Sequence, residues 1–275
     1  WLMDGSLDNS FSTTNSLTLT KVDFPESLQE VVPHLATWQA YSFSATDAQQ
    51  QELVKSQLVL ASFDGDDEPE SATYVQFAKA FDDIYTSGTD DADEQRLGLF
   101  YNASGNIELN VWAPSSQELK LDVFNASKEL VESHAMTENT ETGVWHFETD
   151  SSMSYDRLYY RLSTKVYHPL TKQVESLWST DPYSVNTSTN GRYSQFVNMT
   201  DADLYPAGWV GHVAPTVEYP EQGVLLEAHI RDFSIRDENT SEANRGKYKA
   251  FTESGSDAMT YLSELTNAGV THFHM

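Results

Sequence analysis

LLEAHIRDFS, residues 225–234, is the stretch on which the fold turns. It begins as a strand would, with Leu225, Leu226, Ala228 and Ile230, yet Glu227, His229, Arg231 and Asp232 crowd ionisable groups into the same run. The downstream residues resolve the conflict. A polar loop extends from Arg231 to Gly255. SDAMTYLSELTNAGV (256–270) then sets Met259, Leu262, Leu265 and Ala268 at helical spacing, with Ser256 and Asp257 as N-cap chemistry and Gly269 as the stop. GVTHFHM (269–275) opens another strand. Strand, loop, helix and strand make a βαβ unit, whose two strands run parallel. Such strands persist only when covered on both faces. Residues 216–275 are therefore expected to open a larger domain, with the first strand running from Val224 to Ile230 and Glu227 and His229 on one of its faces. Ion pairs of Arg231 or Arg236 with Asp232 or Asp237 would fix the loop.

Upstream the texture is that of short strands. IELNVWAP, ELKLDVF, GVWHFET, LYYRLSTKVYHP and VESLW succeed one another at regular spacing within 95–215, as in a β-sandwich. Asp181-Pro182 and Asn190-Gly191 mark turns, the latter by tolerating positive φ. In 1–94 the runs SLTLTKVDF and QLVLASF alternate with period two. SFDGDDEPE (62–70) reads as a turn, its acids lacking the spacing of a calcium loop. TSGTDDADEQ (86–95), with no apolar run, suits a linker.

Composition narrows the function. The 275 residues suffice for two or three domains, and an apolar fraction of 39% with 12% aromatics supplies their cores. Acidic residues outnumber basic ones 42 to 16, a formal charge of −26. Such a surface repels nucleic acid and anionic membranes, whereas a neutral polymer meets no such repulsion. The absence of cysteine removes disulfides and thiolate chemistry. No run approaches the roughly 20 apolar residues of a membrane span. A start at Trp1 rather than methionine is expected of a processed or trimmed piece.

VWAP (111–114), VYHPLTKQVE (166–175), STDPYSV (179–185), EAHIRDFS (227–234), NRGKYKAFT (244–252) and AGVTHFHM (268–275) resemble, in this order, segments of bacterial pullulanases and plant limit dextrinases. These are starch- and glycogen-debranching enzymes of the α-amylase superfamily. The resemblance covers nearly the whole chain and is strongest from about residue 97 onward. It implies a mainly β chain: two β-sandwich, immunoglobulin-like modules followed by the first β-α-β unit of a (β/α)8 barrel, incomplete here. Residues 1–94 are similar to the N-terminal β-rich domain, 95–215 to the starch-binding-type module, and 216–275 to the start of the barrel.

The resemblance also implies cleavage of α-1,6 branch links in pullulan, starch or glycogen by a retaining mechanism. That mechanism needs two carboxyl groups about 5–5.5 Å apart; the family carries that pair and a third, supporting Asp at the ends of the fourth, fifth and seventh barrel strands. No residue of this segment is then catalytic, and the segment alone is expected to be inactive. The implied partners are a neutral α-glucan and the remainder of the barrel. No cofactor or metal ligand is identified in the segment, with calcium left to the complete enzyme, and the implied location is secreted or at a bacterial cell surface. For glucan contact the candidate is Trp178, at a loop beside STDPY, with packing between domains as its other reading. Trp112 alternates with Leu109 and Val111 and reads as core. Two alternatives stay open: a non-catalytic carbohydrate-binding or adhesion protein made of sandwiches, and another enzyme of the superfamily such as a branching enzyme or isoamylase.

Overall fold

The computed structural model describes residues 2–3, 13–66, 69–150 and 152–275. The chain divides into two compact units, residues 1–204 and 205–275. In the first, β1 (Leu2–Met3) pairs with β2 (Thr13–Asn15), β3 (Thr20–Val22) with β4 (Ala40–Ser42), and β5 (Val59–Phe63) with β6 (Pro69–Tyr74), each pair antiparallel. In sequence α1 (Glu26–Gln29) comes between β3 and β4, α2 (Asp47–Leu53) between β4 and β5, and α3 (Ala78–Tyr85) after β6. α2 starts at a reciprocal cap in which Thr46 Oγ1 accepts from Gln49 N and Gln49 Oε1 accepts from Thr46 N.

Both alternating runs of this region contain strands, and both are shorter than the runs themselves. The SFDGDDEPE turn joins β5 to β6, with Asp64 Oδ1 accepting from Asp66 N (2.9 Å). Its residues 67 and 68 lie outside the described residues. The expected linker is bonded to itself: Asp91 Oδ2 accepts from Gly88 N (2.6 Å), and Ala92 is buried with Val54 and Tyr85.

Two sheets form the sandwich. One has the order β10 (Leu130–Ala135), β9 (Ser116–Phe124), β13 (Tyr159–His168), β14 (Gln173–Ser179), with β15 (Ser194–Gln195) also on β13. The other has the order β11 (Thr137–Asn139), β12 (Val144–Glu148), β8 (Ile107–Trp112), β7 (Gly98–Tyr101). Alternation fixes which side chains meet. Ile107, Leu109 and Val111 of β8 face Leu119, Leu121 and Val123 of β9 in one core with Trp145, Phe147, Tyr160, Leu162 and Phe196.

Trp112 falls on the opposite face of β8. It is partly buried rather than core, packs against a second, smaller cluster of Val54, Tyr85 and Ala92, and donates Nε1 to Thr142 O (3.1 Å). The β-hairpin carrying Thr142 comes close to α3. A Cβ on Gly143 (φ 67°) would sit 2.8 Å from Pro114 Cβ and 3.2 Å from Tyr85 Cε1, so only glycine fits. Asn190 and Gly191 both have φ of 61°, as their turn requires.

In residues 205–275, β16 (Leu225–Glu227) and β17 (His272–His274) are parallel, with Leu226 opposite Phe273. α5 (Asp257–Asn267) lies between them in sequence, capped by Ser256 Oγ accepting from Met259 N (3.2 Å) and followed by Gly269 at φ 110°. The strand expected over Val224–Ile230 is shorter. It stops at Glu227 because Ile230 begins α4 (Ile230–Ser234), with His229 Nδ1 accepting from Arg231 N (3.2 Å) as its cap. Phe233, Phe251 and Phe273 pack together with ring centroids 4.7–5.8 Å apart.

Candidate functional site

Among the described residues β14 pairs with β13 alone, and its outward row carries Ser176 and Trp178. Trp178 stands opposite Ser163, which in turn stands opposite Lys120 of β9. Position 161 on β13 lies opposite Asp122. These residues share the outer face because Tyr160 and Leu162, which alternate with them, are inside the sandwich.

A ladder of rings and cations runs over this face. The Arg161 guanidinium lies 3.6 Å from the Trp178 ring centroid and 3.8 Å from that of Tyr193. Tyr193 meets Phe124 edge-on at 5.1 Å and Tyr159 at 6.3 Å, and Lys128 Nζ sits over Tyr159 at 2.7 Å. Arg161 Nε also donates to Arg192 O (2.7 Å), so the guanidinium is fixed between two rings. Trp178 remains 59% exposed, which leaves much of its ring free.

Beside it runs a shallow groove of about 340 Å³ lined by Glu118, Lys120, Asp122, Ser163, Lys165 and Ser176 among others. Its charges balance. Lys165 pairs with Glu118 (2.8 Å), whose carboxyl is held below its usual value by that hydrogen bond. Asp122 accepts from Ser133 Oγ (2.6 Å) and from Ser163 Oγ. An exposed ring beside a charge-balanced row of donors and acceptors suits a neutral, hydroxyl-rich ligand with an apolar face. Trp178, expected at a loop, lies instead near the end of strand β14, because its pairing with Ser163 extends the strand up to the turn. Arg161 and Tyr193 were not readable, because nothing in the sequence says which strands become neighbours.

The end of β14 is tied down by Asp181, which is 3% exposed. It accepts from Tyr160 Oη (2.7 Å) and Tyr183 N (2.9 Å), and its own N–H donates to Ser194 Oγ (3.0 Å). Burial raises the Asp181 carboxyl above its usual value and the Tyr160 hydroxyl above its own.

In residues 205–275, an open cleft of about 820 Å³ lies beyond the carboxyl ends of β16 and β17, lined by Glu227, His229, Arg231, Lys247 and Tyr248 among others. Glu227 is the one carboxylate in that lining, so it contains no acid pair for glycoside hydrolysis. Its contact with His274 is long, 3.8 Å, and both side chains are exposed. Arg231 does pair with Asp232 (3.2 Å), again exposed. The loop is held instead by two carboxylates. Asp237 accepts from Ala258 N and Asn239 N, at 2.9 and 2.8 Å. Glu253 accepts from Ser241 N, Ser241 Oγ and Asn244 Nδ2, at 2.6–2.7 Å. These bonds hold both carboxyls below their usual values. Among the described residues there is no group of three or more His, Asp or Glu side chains that could hold a metal ion. No helix among the described residues is long and apolar enough to cross a membrane.

Known proteins share the domains and the fold of this chain. Residues 4–83 match the Pullulanase N2 domain, and residues 96–184 match carbohydrate-binding module 48, the isoamylase N-terminal domain. A Klebsiella pneumoniae pullulanase is 32% identical over 270 residues, covering 96% of this chain and 24% of its own length. Pullulanase 1, chloroplastic, of Arabidopsis thaliana is 29% identical over 253 residues, covering 91% of this chain and 25% of its own. The crystal structure of K. pneumoniae pullulanase complexed with maltotriose matches with a TM-score of 0.89 and 31% identity, over 99% of this chain and 26% of that one. The chain thus carries an N2 domain followed by a module-48 sandwich. The chain belongs to the pullulanase type, and it spans about a quarter of the length of the relatives it matches.

Proposed function

We propose that this chain forms the non-catalytic front of a hydrolase that cleaves α-1,6 links in a neutral α-glucan, and that the sheet face around Trp178 holds a strand of that glucan. The observation that carries the second part is the Arg161 guanidinium clamped between Trp178 and Tyr193, which sets an exposed indole rigidly beside a charge-balanced groove. The C–H face of a glucose unit stacks on the indole, and its hydroxyls bond to the Ser163–Asp122 and Lys120 groups beside it. Covering about 60 Å² of ring at about 25 cal/mol per Å² contributes about 1.5 kcal/mol, roughly tenfold in affinity. The pullulanase names of the relatives and the maltotriose of the matched crystal structure support the ligand class. In the same reading, the parallel pair β16–β17 opens a (β/α)8 barrel whose catalytic carboxylates lie outside this chain.

Trp178→Ala tests the binding face. The expected result is at least tenfold weaker binding of a linear maltooligosaccharide such as maltoheptaose to the 275-residue chain, with the unfolding midpoint unchanged. Binding as tight as wild type would remove the face from the account. The chain alone is expected to release no reducing sugar from pullulan, and turnover by the pure 275-residue chain would overturn the non-catalytic assignment.

A further inference from the structure

We propose a second glucan-binding site, in the cleft where the β5–β6 ribbon and α3 meet the sandwich. The inference takes its ligand class from the reading above and goes beyond it in place and in residues. The cleft is open to solvent and measures about 440 Å³, within the usual range for small-molecule sites, about 300–1,000 Å³. Its walls include Tyr74, Phe77, Phe81 and Tyr167.

One lining residue does not belong in an apolar wall. Gln57 is only 6% exposed, and its Oε1 is buried without a hydrogen-bond partner. A buried amide oxygen left unpaired costs about 1–3 kcal/mol, so its presence calls for a donor. Gln57 is among the residues that line the cleft, so a hydroxyl-bearing ligand seated there is the nearest source of that donor.

The missing partner is neutral. Lys55 is the one charged side chain in the lining, and it is bonded to both carboxylate oxygens of Glu138 at 2.6 and 2.7 Å. No carboxylate side chain lines the cleft, and the one other cation near it, Lys172, stands over the Tyr74 ring at 5.7 Å, outside the lining. Aromatic walls, an unpaired amide and a lining whose one charge is already paired together describe a site for a sugar, whose C–H faces stack on rings and whose hydroxyls donate to and accept from an amide. A short linear α-glucan segment, two or three units, is the occupant the cleft fits. The cleft draws on residues matched to the N2 domain and on residues matched to the module-48 sandwich. A sugar there binds both parts of the same compact unit.

The test is calorimetric titration of maltotriose into the 275-residue chain and into Trp178→Ala, Gln57→Leu and the double variant. The Trp178→Ala chain is expected to retain maltotriose binding, and adding Gln57→Leu is expected to weaken that remaining binding at least tenfold. The thermal midpoint of Gln57→Leu should equal or exceed that of wild type, since an unpaired amide is replaced by an apolar group of similar size. Tyr74→Ala, at a ring that is 48% exposed, is a second variant that spares the interior and should give the same loss. No maltotriose binding by Trp178→Ala, or binding within twofold after Gln57→Leu or Tyr74→Ala is added, would overturn the second site. If Trp178→Ala changes nothing while Gln57→Leu abolishes binding, the sheet-face reading falls and the cleft stands.

Discussion

Leu121 and Leu225 both sit within β-strands, and their surroundings could hardly differ more. Leu121, in β9, is fully buried between two sheets, while Leu225, in β16, is 71% exposed. The sandwich buries aliphatic and aromatic side chains from both of its sheets. In residues 205–275 the buried apolar side chains are only Ala250 and Ala258, and the aromatic trio of Phe233, Phe251 and Phe273 is half-covered. The difference arises from layering. Antiparallel sheets stacked face to face supply each other's cover, whereas two parallel strands and a helix leave one sheet face bare. The module that holds the candidate binding face is therefore built to stand by itself, and the parallel pair is held by its loop.

Truncating the two leucines should separate the regions most. Leu121→Ala should destabilise the sandwich by about 2–5 kcal/mol. Leu225→Ala should change stability by less than about 0.5 kcal/mol, as surface substitutions do. Urea unfolding of both variants measures the contrast, and similar losses would mean that the strand pair has a core of its own. A smaller loss, about 1–3 kcal/mol, is expected for Gly143→Ala. There the positive φ and the approach of Pro114 and Tyr85 leave no room for a methyl group. An unchanged unfolding midpoint would show that the hairpin does not press on α3.

A subtler contrast lies in pH dependence. The Asp181 carboxyl is raised above its reference of 3.8 because burial opposes ionisation more than its hydrogen bonds favour it. Between 3.8 and its folded value, the folded chain keeps a proton that the unfolded chain has lost. The contribution of Asp181 to stability therefore falls as pH rises through that window and is level above it. Glu253, in the loop of residues 205–275, has the opposite sign. Its carboxyl is lowered from 4.5 by the Ser241 and Asn244 bonds, so its support is present above 4.5 and is lost as pH falls through its folded value. Stability at stepped pH, wild type minus Asp181→Asn and wild type minus Glu253→Gln, should give slopes of opposite sign. Two slopes of the same sign would contradict the assignment.

Where one face of a strand was buried and the other open, the sequence was readable. IELNVW and ELKLDVF show their inward residues by alternation alone, and the Ser256 cap and Gly269 stop delimit α5. Other features were hidden for identifiable reasons. α3 is hard to read in the sequence, although Phe77, Ala80, Phe81, Ile84 and Tyr85 recur at helical spacing, because acidic residues interrupt them and a polar segment comes next. The apolar run at 224–230 reads as one long strand because such a run does not say whether it continues as strand or helix, and His229 caps a helix there. The site was half legible. Trp178 announced itself as an aromatic residue beside a turn, but its partners are set by strand pairing, which one sequence does not display. Gln57 gave no signal at all, since its interest lies in a partner it lacks.

Hydrogen exchange on the 275-residue chain tests the division most directly, by comparing amides of Leu119–Val123 in β9 with those of Leu225–Glu227 in β16. The account predicts slow exchange, near the global unfolding limit, for the first set and fast exchange for the second, because only the first is sealed between two sheets. Strong and equal protection of both sets would show that residues 205–275 stand as firmly as the sandwich, and would contradict it.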